Sequence, residues 1–182
     1  MNNEQLNQAI LCLKAGGIIA YPTESVYGLG CDANNLQAVA RILKIKRRDS
    51  NKGLILLVSD IQQASQFIQP LDHVSATRLS QPLEHATTWL LPKSPKTSSL
   101  VVGEHSSIAI RITTHPIARA LCQGFGAPIV STSCNLNAEP PSSESGLIPD
   151  QLAAQLDFIL EGDCGGHAPS IIVDYSTGKR LR

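Results

Sequence analysis

The chain has 182 residues, a length that suits one domain or one domain with a small appendage. Hydrophobic residues make up 42% and charged residues 16% of the sequence, which favours a packed core and argues against intrinsic disorder. The formal net charge is zero, so binding nucleic acid mainly by neutralising phosphates is disfavoured, and RNA affinity would need a local basic patch.

Membrane insertion, secretion and metal binding find no support in the sequence. No apolar run approaches the roughly 20 residues that cross a bilayer, and the N-terminus lacks a basic segment followed by an apolar stretch. The five cysteines are odd in number, widely spaced and without a C-x-x-C pair, which argues against a disulfide framework and a structural zinc site. None of the five histidines pairs with another at metal-ligand spacing. We therefore expect a cytoplasmic protein with no membrane contact and no metal site of its own.

Helices and strands alternate along the first half of the chain. Asn2 or Asn3 can cap a first helix that Gly16 or Gly17 ends. Strands are predicted at residues 17–21 and 53–58. Further helices are predicted at residues 35–46, with Asn34 or Asn35 as cap, and from Asp60 through Phe67. Residues 68–86 give no clear prediction.

The second half continues this alternation. Pro116 suits the first position of a helix that Gly124 or Gly126 ends. Residues 137–149 are rich in Pro, Ser and Glu and predict a mobile loop. Strands are predicted at 87–92, 107–112, 127–133, 157–162 and 170–175, and a short helix at 150–156. Strands interleaved with helices in this irregular order indicate an α/β fold with a mixed sheet.

Basic residues concentrate in residues 41–52, which hold six of the fifteen lysines and arginines. On a helix, Lys46 would lie about 140° from Arg41, on the apolar side. A lysine at that position either extends its amine toward solvent or points it into a cavity. The alternative is a cation that the C-terminal end of the helix dipole favours.

Two segments that follow strands carry small polar side chains. In residues 21–30, YPTESVYGLG, hydroxyls and glycine amides can approach a ligand closely, although the segment matches neither a dinucleotide-binding glycine motif nor a P-loop. In residues 131–136, STSCNL, four hydrogen-bonding side chains suit a ligand rich in oxygen, such as a phosphate or a ribose. Either segment could instead be an elaborate polar turn.

Arg111 lies within a predicted strand, and an arginine on a partly buried strand face usually needs an anionic partner. Glu24 or Asp174 could be that partner in a purely structural pair. A substrate carboxylate is the other possibility.

Five segments occur in order along the chain: IAYPTESVYGLGCDA, KIKRRDSNKGLILLV, IAIRITTHPIARALC, PIVSTSCNLNAEPP and PSIIVDYSTGKRLR. Together they resemble the motifs of the YrdC/TsaC family of threonylcarbamoyl-AMP synthases in its short form. The departures are Asp49, where the family usually has proline, the segment 83–92, and Asn137 followed by Ala138 in place of Ser-Gly.

The resemblance implies one YrdC-like domain over residues 1–182, an α/β fold with a twisted, mixed parallel and antiparallel sheet flanked by helices around a concave basic cavity. It also implies a nucleotidyltransferase that makes threonylcarbamoyl-AMP and diphosphate from L-threonine, bicarbonate or CO2, and ATP, with Mg2+ bound to the ATP. The product would pass to TsaD/TsaB/TsaE-type machinery, for N6-threonylcarbamoyladenosine formation in tRNAs that read codons starting with A. The alternatives are a ribosome-maturation module of the same fold that binds tRNA or double-stranded RNA, and a carbamoyl-transfer domain of the kind found in larger maturases.

The resemblance also assigns roles to individual residues. Lys46 and Arg48 would be catalytic, because fixed cations stabilise the charge that develops on the triphosphate. Cys134 is expected to be a packing residue rather than a nucleophile, His115 to cap a helix, and the 137–149 loop to act as a lid. Threonine would contact Thr23, Arg111, Ser131 and Ser170, and the nucleotide would contact Lys46, Arg48, Lys52, Ser107, Ser133, Asn135, Pro141 and Arg182.

Overall fold

A computed structural model describes residues 2–81, 83–136 and 139–181. Within these ranges the chain forms six α-helices and eight strands. The helices are α1 (Asn3–Lys14), α2 (Leu36–Ile45), α3 (His73–Leu79), α4 (Ser99–Val102), α5 (Pro116–Phe125) and α6 (Asp150–Ala153). The strands are β1 (Ile19–Tyr21), β2 (Gly28–Asp32), β3 (Ile55–Val58), β4 (Thr87–Pro92), β5 (Ser107–Ile112), β6 (Ile129–Ser133), β7 (Phe158–Ile159) and β8 (Ile171–Asp174).

The strands form a single mixed sheet in the order β7-β1-β2-β6-β3-β5-β4-β8. The pairs β1–β7, β3–β5 and β4–β8 are parallel, and the other neighbours are antiparallel. The prediction of an α/β fold with a mixed parallel and antiparallel sheet is therefore confirmed. None of the helices in the described ranges has the length and apolar character that crossing a bilayer would require.

Two apolar cores lie on opposite faces of the sheet, as the alternation along β3 shows. Leu57 packs with α1 and α5, whereas Leu56 and Val58 pack with α2 and α4. Successive side chains of a strand point to opposite faces, so each of these helix pairs packs against a different face of the sheet. β6 follows the same rule, because Ile129 belongs to the α1–α5 core and Val130 to the other.

Local helix signals are confirmed. The side chains of Asn2 and Asn35 cap α1 and α2 by accepting backbone N–H groups of the first turn. Pro116 begins α5, where its missing N–H costs no hydrogen bond, and Gly126 ends it in the left-handed conformation. His115 is the N-cap of α5, and its Nδ1 accepts a hydrogen bond from the Ala118 N–H at 3.4 Å.

Strand β2 was not predicted, because its sequence GLGCD has two glycines and looks like a turn. It lies between β1 and β6 with almost no exposed surface, so close packing excludes side chains at those glycines. A Cβ on Gly30 would meet the carbonyl oxygen of Val130 at 2.4 Å, and one on Gly28 would meet the Tyr21 ring at 3.1 Å. Two other predictions need correction. The helix from Asp60 is a single 3-10 turn, Ile61–Ala64, and the expected 150–156 helix is the shorter α6. Residues 68–86, for which the sequence allowed no clear prediction, contain α3.

Candidate active site

A cavity of about 580 Å³ lies on the face of the sheet that α1 and α5 cover only in part. On β6, Ile129 packs beneath the helices, and Ser131 and Ser133, two and four residues further on the same face, line the cavity. On β3, Ile55 lines the cavity next to Leu57 of the core. Nine of the predicted site residues line it: Thr23, Arg48, Lys52, Ser107, Arg111, Ser131, Ser133, Pro141 and Ser170.

Charge in the cavity wall is positive. Among the described residues that line it, the side chains charged at neutral pH are those of Arg48, Lys52 and Arg111, and no carboxylate lies among them. His105, which the sequence analysis did not single out, also lines the cavity. The cavity therefore favours an anionic ligand, as the expected concave basic cavity requires.

Arg111 on β5 is 9% exposed and forms an ion pair with Glu24, its Nη2 lying 2.7 Å from Glu24 Oε2. This contact decides between the two partners that the sequence left open, since Asp174 instead accepts the backbone N–H of Thr177 at 2.9 Å. Arg111 Nε is buried and has no hydrogen-bond partner among the described residues. The guanidinium is therefore only partly satisfied by the protein.

Several hydroxyl groups in or next to the cavity wall are held by hydrogen bonds. The Tyr21 hydroxyl lies 2.8 Å from Ser131 Oγ, and the Thr23 hydroxyl donates to the Val26 carbonyl at 2.7 Å. Ser170 Oγ lies 2.8 Å from the hydroxyl of Thr88, which pairs across the sheet with Arg111. These contacts fix the orientation of the predicted threonine-binding hydroxyls in the cavity wall.

Arg48 lies at the opposite end of the cavity, near the start of β3. Its Nε and Nη2 donate to the Gly53 carbonyl at 3.1 and 2.9 Å. Burial lowers the pKa of the Arg48 guanidinium, although an arginine keeps its charge at neutral pH. Asp49 Oδ1 accepts the Asn51 N–H at 3.0 Å and so caps the 3-10 turn Ser50–Lys52, which places Lys52 beside Arg48.

Lys46, which the family resemblance makes catalytic, is not among the described residues that line the cavity. Lys46 is the C-cap of α2 and is 8% exposed. Its Nζ donates to the Ser133 carbonyl at 2.7 Å, to Asn135 Oδ1 at 2.6 Å and to the Asn135 carbonyl. Burial is the main reason that its pKa is lowered to about 8. Three carbonyl-type acceptors hold the amine at the turn that follows β6.

Asn135 is likewise outside the cavity lining and holds the turn that follows β6. Its Oδ1 accepts from Ser133 Oγ at 2.7 Å, and its Nδ2 donates to the Glu139 carbonyl at 2.5 Å. Cys134 between them is fully buried, and burial raises the pKa of its thiol to about 12, which agrees with a packing role.

Part of the expected lid is tied to the sheet. The Tyr27 N–H donates to the Ser142 carbonyl at 2.8 Å, and Ser142 Oγ donates to the Leu147 carbonyl at 3.0 Å. Two predicted features, the Asn137–Ala138 departure and the nucleotide contact of Arg182, lie outside the described residues. Leu181, immediately before Arg182, lines the cavity.

A second cavity of about 570 Å³ lies on the other side of the Arg111–Glu24 pair. Glu24 lines this second cavity, Arg111 lines the first, and Pro169 lines both. Within the part of the chain that the structure describes, no cluster of histidine, cysteine and acidic side chains has an arrangement that could hold a metal ion.

Similarity to known proteins covers nearly the whole chain. The Sua5/YciO/YrdC family, described as telomere recombination, matches residues 12–182. A Coxiella burnetii (strain RSA 493 / Nine Mile phase I) protein named threonylcarbamoyl-AMP synthase is 42% identical over 180 residues, 98% of this chain and 97% of that protein. A protein of the same name from Stenotrophomonas maltophilia (strain K279a) is 42% identical over 185 residues and matches both chains over their full lengths.

Solved structures of two proteins have the same fold as this chain. E. coli YciO is 30% identical with a TM-score of 0.78, over 95% of this chain and 84% of that one. P. abyssi Sua5, solved in complex with L-threonine, is 24% identical with a TM-score of 0.86 and shows the same fold over 96% of this chain and 52% of its own.

Proposed function

This chain belongs to the Sua5/YciO/YrdC family, and we propose that it is a threonylcarbamoyl-AMP synthase. The reaction joins L-threonine, bicarbonate or CO2, and ATP, and releases diphosphate, so the enzyme is a nucleotidyltransferase. The named relatives, which match over almost their entire lengths, favour this function over an RNA-binding module of the same fold.

The observation that carries the proposal is the placing of two cationic groups at opposite ends of one cavity. Arg48 is held at the Gly53 carbonyl, two residues before β3 begins, and Arg111 lies four residues after Ser107, the first residue of β5. β3 and β5 are parallel and in register at Ile55 and Ala109. With a rise of about 3.3 Å per residue, four residues of β5 span about 13 Å. That length accommodates an amino acid next to the phosphates of a nucleotide.

Arg111 would bind the threonine carboxylate through the accessible guanidinium N–H groups that Glu24 does not engage, since arginine matches the planar geometry of a carboxylate. Thr23, Ser131 and Ser170 would contact the rest of the amino acid. The amine of threonine, once carbamated, has a carbamate oxygen that attacks the α-phosphorus of ATP and displaces diphosphate. The protein would accelerate this step mainly by holding the carbamate oxygen in line with the α-phosphorus.

Arg48 and Lys52 would stabilise the negative charge that builds on the phosphates, with hydroxyls of Ser107 and Ser133 beside them. Mg2+ would be held mainly by phosphate oxygens and water, since no carboxylate of the described residues lines the cavity. Lys46 would act on the nucleotide through the Ser133–Asn135 turn that it supports. Pro141 and Arg182 remain proposed nucleotide contacts, and transfer of the product to TsaD/TsaB/TsaE-type machinery in the cytoplasm remains a proposal by family membership.

A diphosphate-release assay that omits one reactant at a time tests this function. We expect release only when threonine, bicarbonate, ATP and Mg2+ are all present. Arg48→Met should abolish release, whereas Arg119→Met, at an exposed position of α5, should leave it unchanged. Release without threonine would contradict the proposal. Tight binding of tRNA or double-stranded RNA with a steep salt dependence, and no threonine-dependent release, would favour the RNA-binding alternative.

A further inference from the structure

Glu24 is the best-satisfied charged group next to the cavity, although it does not line the cavity itself. Its Oε1 accepts from the Thr113 hydroxyl at 2.8 Å, the Thr114 N–H at 3.0 Å and the His115 N–H at 3.4 Å. All three donors belong to the corner between β5 and α5. Glu24 Oε2 takes the remaining contact, from Arg111. The corner between β5 and α5 therefore holds Glu24 through Oε1, and Glu24 in turn holds Arg111 through Oε2.

The charge state of Glu24 is secured by these contacts. Burial by itself raises the pKa of the Glu24 carboxyl, but the neighbouring Arg111 and the hydrogen bonds outweigh it and lower the pKa below its ordinary value. Glu24 can therefore remain ionised when a second carboxylate approaches the same guanidinium. Four donors to one carboxylate spread the repulsion that two anions around one cation would otherwise create.

Arg111, in contrast to Glu24, has a hydrogen-bond donor that the protein leaves without a partner among the described residues. Its side chain is 11% exposed, Nη2 is engaged by Glu24, and Nε is buried without a partner among the described residues. A purely structural ion pair should leave no buried donor unmet, because such a donor costs stability. Arg111 lines the first cavity and Glu24 the second, so the ion pair lies between the two cavities.

We propose that Glu24 is a positioning residue for the amino-acid substrate: it holds Arg111 in the one orientation that presents the remaining guanidinium N–H groups to the substrate carboxylate. This inference rests on the proposed function. A free arginine side chain loses rotamer freedom when it binds a ligand, and that loss weakens binding. Glu24 removes this cost before threonine arrives, so its effect falls on threonine and not on ATP.

Steady-state kinetics of Glu24→Gln, with Glu4→Gln at an exposed position of α1 as the matched control, test this role. Glutamine keeps the size of the side chain but brings an amide in place of the ionised carboxylate that pairs with Arg111. We expect the KM for threonine to rise about tenfold or more, while the KM for ATP changes by less than about twofold. Inhibition by L-threoninamide, which lacks the carboxylate, should change little.

Equal increases in the KM values for threonine and ATP, or equal weakening of threonine and threoninamide binding, would show a merely structural role and overturn the inference. An unchanged threonine KM would overturn it as well. If Glu24→Gln does not fold, Thr113→Val decides, because it removes one donor to Glu24 and keeps the ion pair. It should raise the threonine KM about threefold, and no rise counts against the inference. Absence of threonine-dependent turnover in the wild-type enzyme would instead refute the proposed function.

Discussion

Lys46 Nζ donates a hydrogen bond to the carbonyl oxygen of Ser133 at 2.7 Å, which joins the C-terminal end of α2 to the end of β6. The same amine contacts both oxygens of Asn135. In this position Lys46 stabilises the Ser133–Asn135 turn, which borders the cavity. Any effect of Lys46 on a bound nucleotide would result from the conformation of that turn.

Lys46→Met tests this supporting role. The substitution keeps an unbranched side chain of similar length but removes the amine that donates to the oxygens of Ser133 and Asn135. We expect the free energy of unfolding to fall by about 2 kcal/mol, and kcat/KM for ATP to fall about tenfold or more because the turn shifts. Urea denaturation and the diphosphate assay measure the two effects. Lys44→Met, at an exposed position of the same helix, is the control. Lost activity with full stability would instead favour a direct contact with the nucleotide.

Gly30→Ala should destabilise the sheet. The added Cβ would meet the Val130 carbonyl oxygen at 2.4 Å, and a backbone atom in the middle of a sheet cannot move aside cheaply. We expect a loss of about 3 kcal/mol in the free energy of unfolding, measured by urea denaturation. Gly146→Ala is the control, because nothing lies within 4 Å of a Cβ there. Similar values for the two variants would show that β2 is not packed as described.

Arg47→Gly should stabilise the protein. Arg47 follows α2 with a φ of 43°, a left-handed conformation that L side chains adopt at a cost. The hydrogen bonds Arg47 N–H to Lys44 carbonyl and Arg48 N–H to Leu43 carbonyl close the helix in the Schellman pattern, in which glycine is preferred. The expected gain is about 0.5 to 1 kcal/mol, after allowing for the greater freedom of glycine in the unfolded chain. Arg47→Ala, which removes the charge but keeps the strain, should show no such gain. A gain in the alanine variant would trace the effect to charge.

Glu24 should make stability depend on pH in the acid range. Its folded-state pKa lies below the ordinary value of 4.5, so the folded protein binds fewer protons than the unfolded chain as the pH falls. The stabilisation is complete above an ordinary glutamate pKa and is lost as the pH falls through the lower folded value. The difference in unfolding free energy between wild type and Glu24→Gln should therefore shrink as the pH falls from the ordinary glutamate pKa through the lower folded value. A constant difference over that range would mean that Glu24 does not carry its charge in the folded state.

Structural features that depend on neighbouring residues in the sequence could be predicted, whereas those that depend on packing between distant parts of the chain could not. The cap at Asn35 and the helix start at Pro116 depend on neighbouring residues, so they could be predicted. β2 is a strand because β1 and β6 enclose it, and nothing in GLGCD itself shows that enclosure. The side of α2 on which Lys46 lies was predicted, yet its acceptors come from a strand 87 residues away along the chain.

The residues of the candidate site could likewise be predicted only in part. Polar segments after strands identified most of the cavity wall, because ends of adjacent strands meet at one place. The partner of Arg111 could not be chosen, since Glu24 and Asp174 are both acidic and only the strand order separates them. In that order Arg111 pairs with Thr88 on β4, and Asp174 lies one strand further, on β8.

The most direct test of the account is a pair of substitutions, Arg111→Lys and Arg48→Lys, each assayed for the KM of both substrates. Lysine keeps the charge but loses the planar, forked geometry of arginine. The account predicts that Arg111→Lys raises the KM for threonine by about tenfold or more and spares that for ATP, and that Arg48→Lys does the reverse. Equal effects of each variant on both substrates, or no effect of either, would contradict a single cavity that binds an amino acid at one end and a nucleotide at the other.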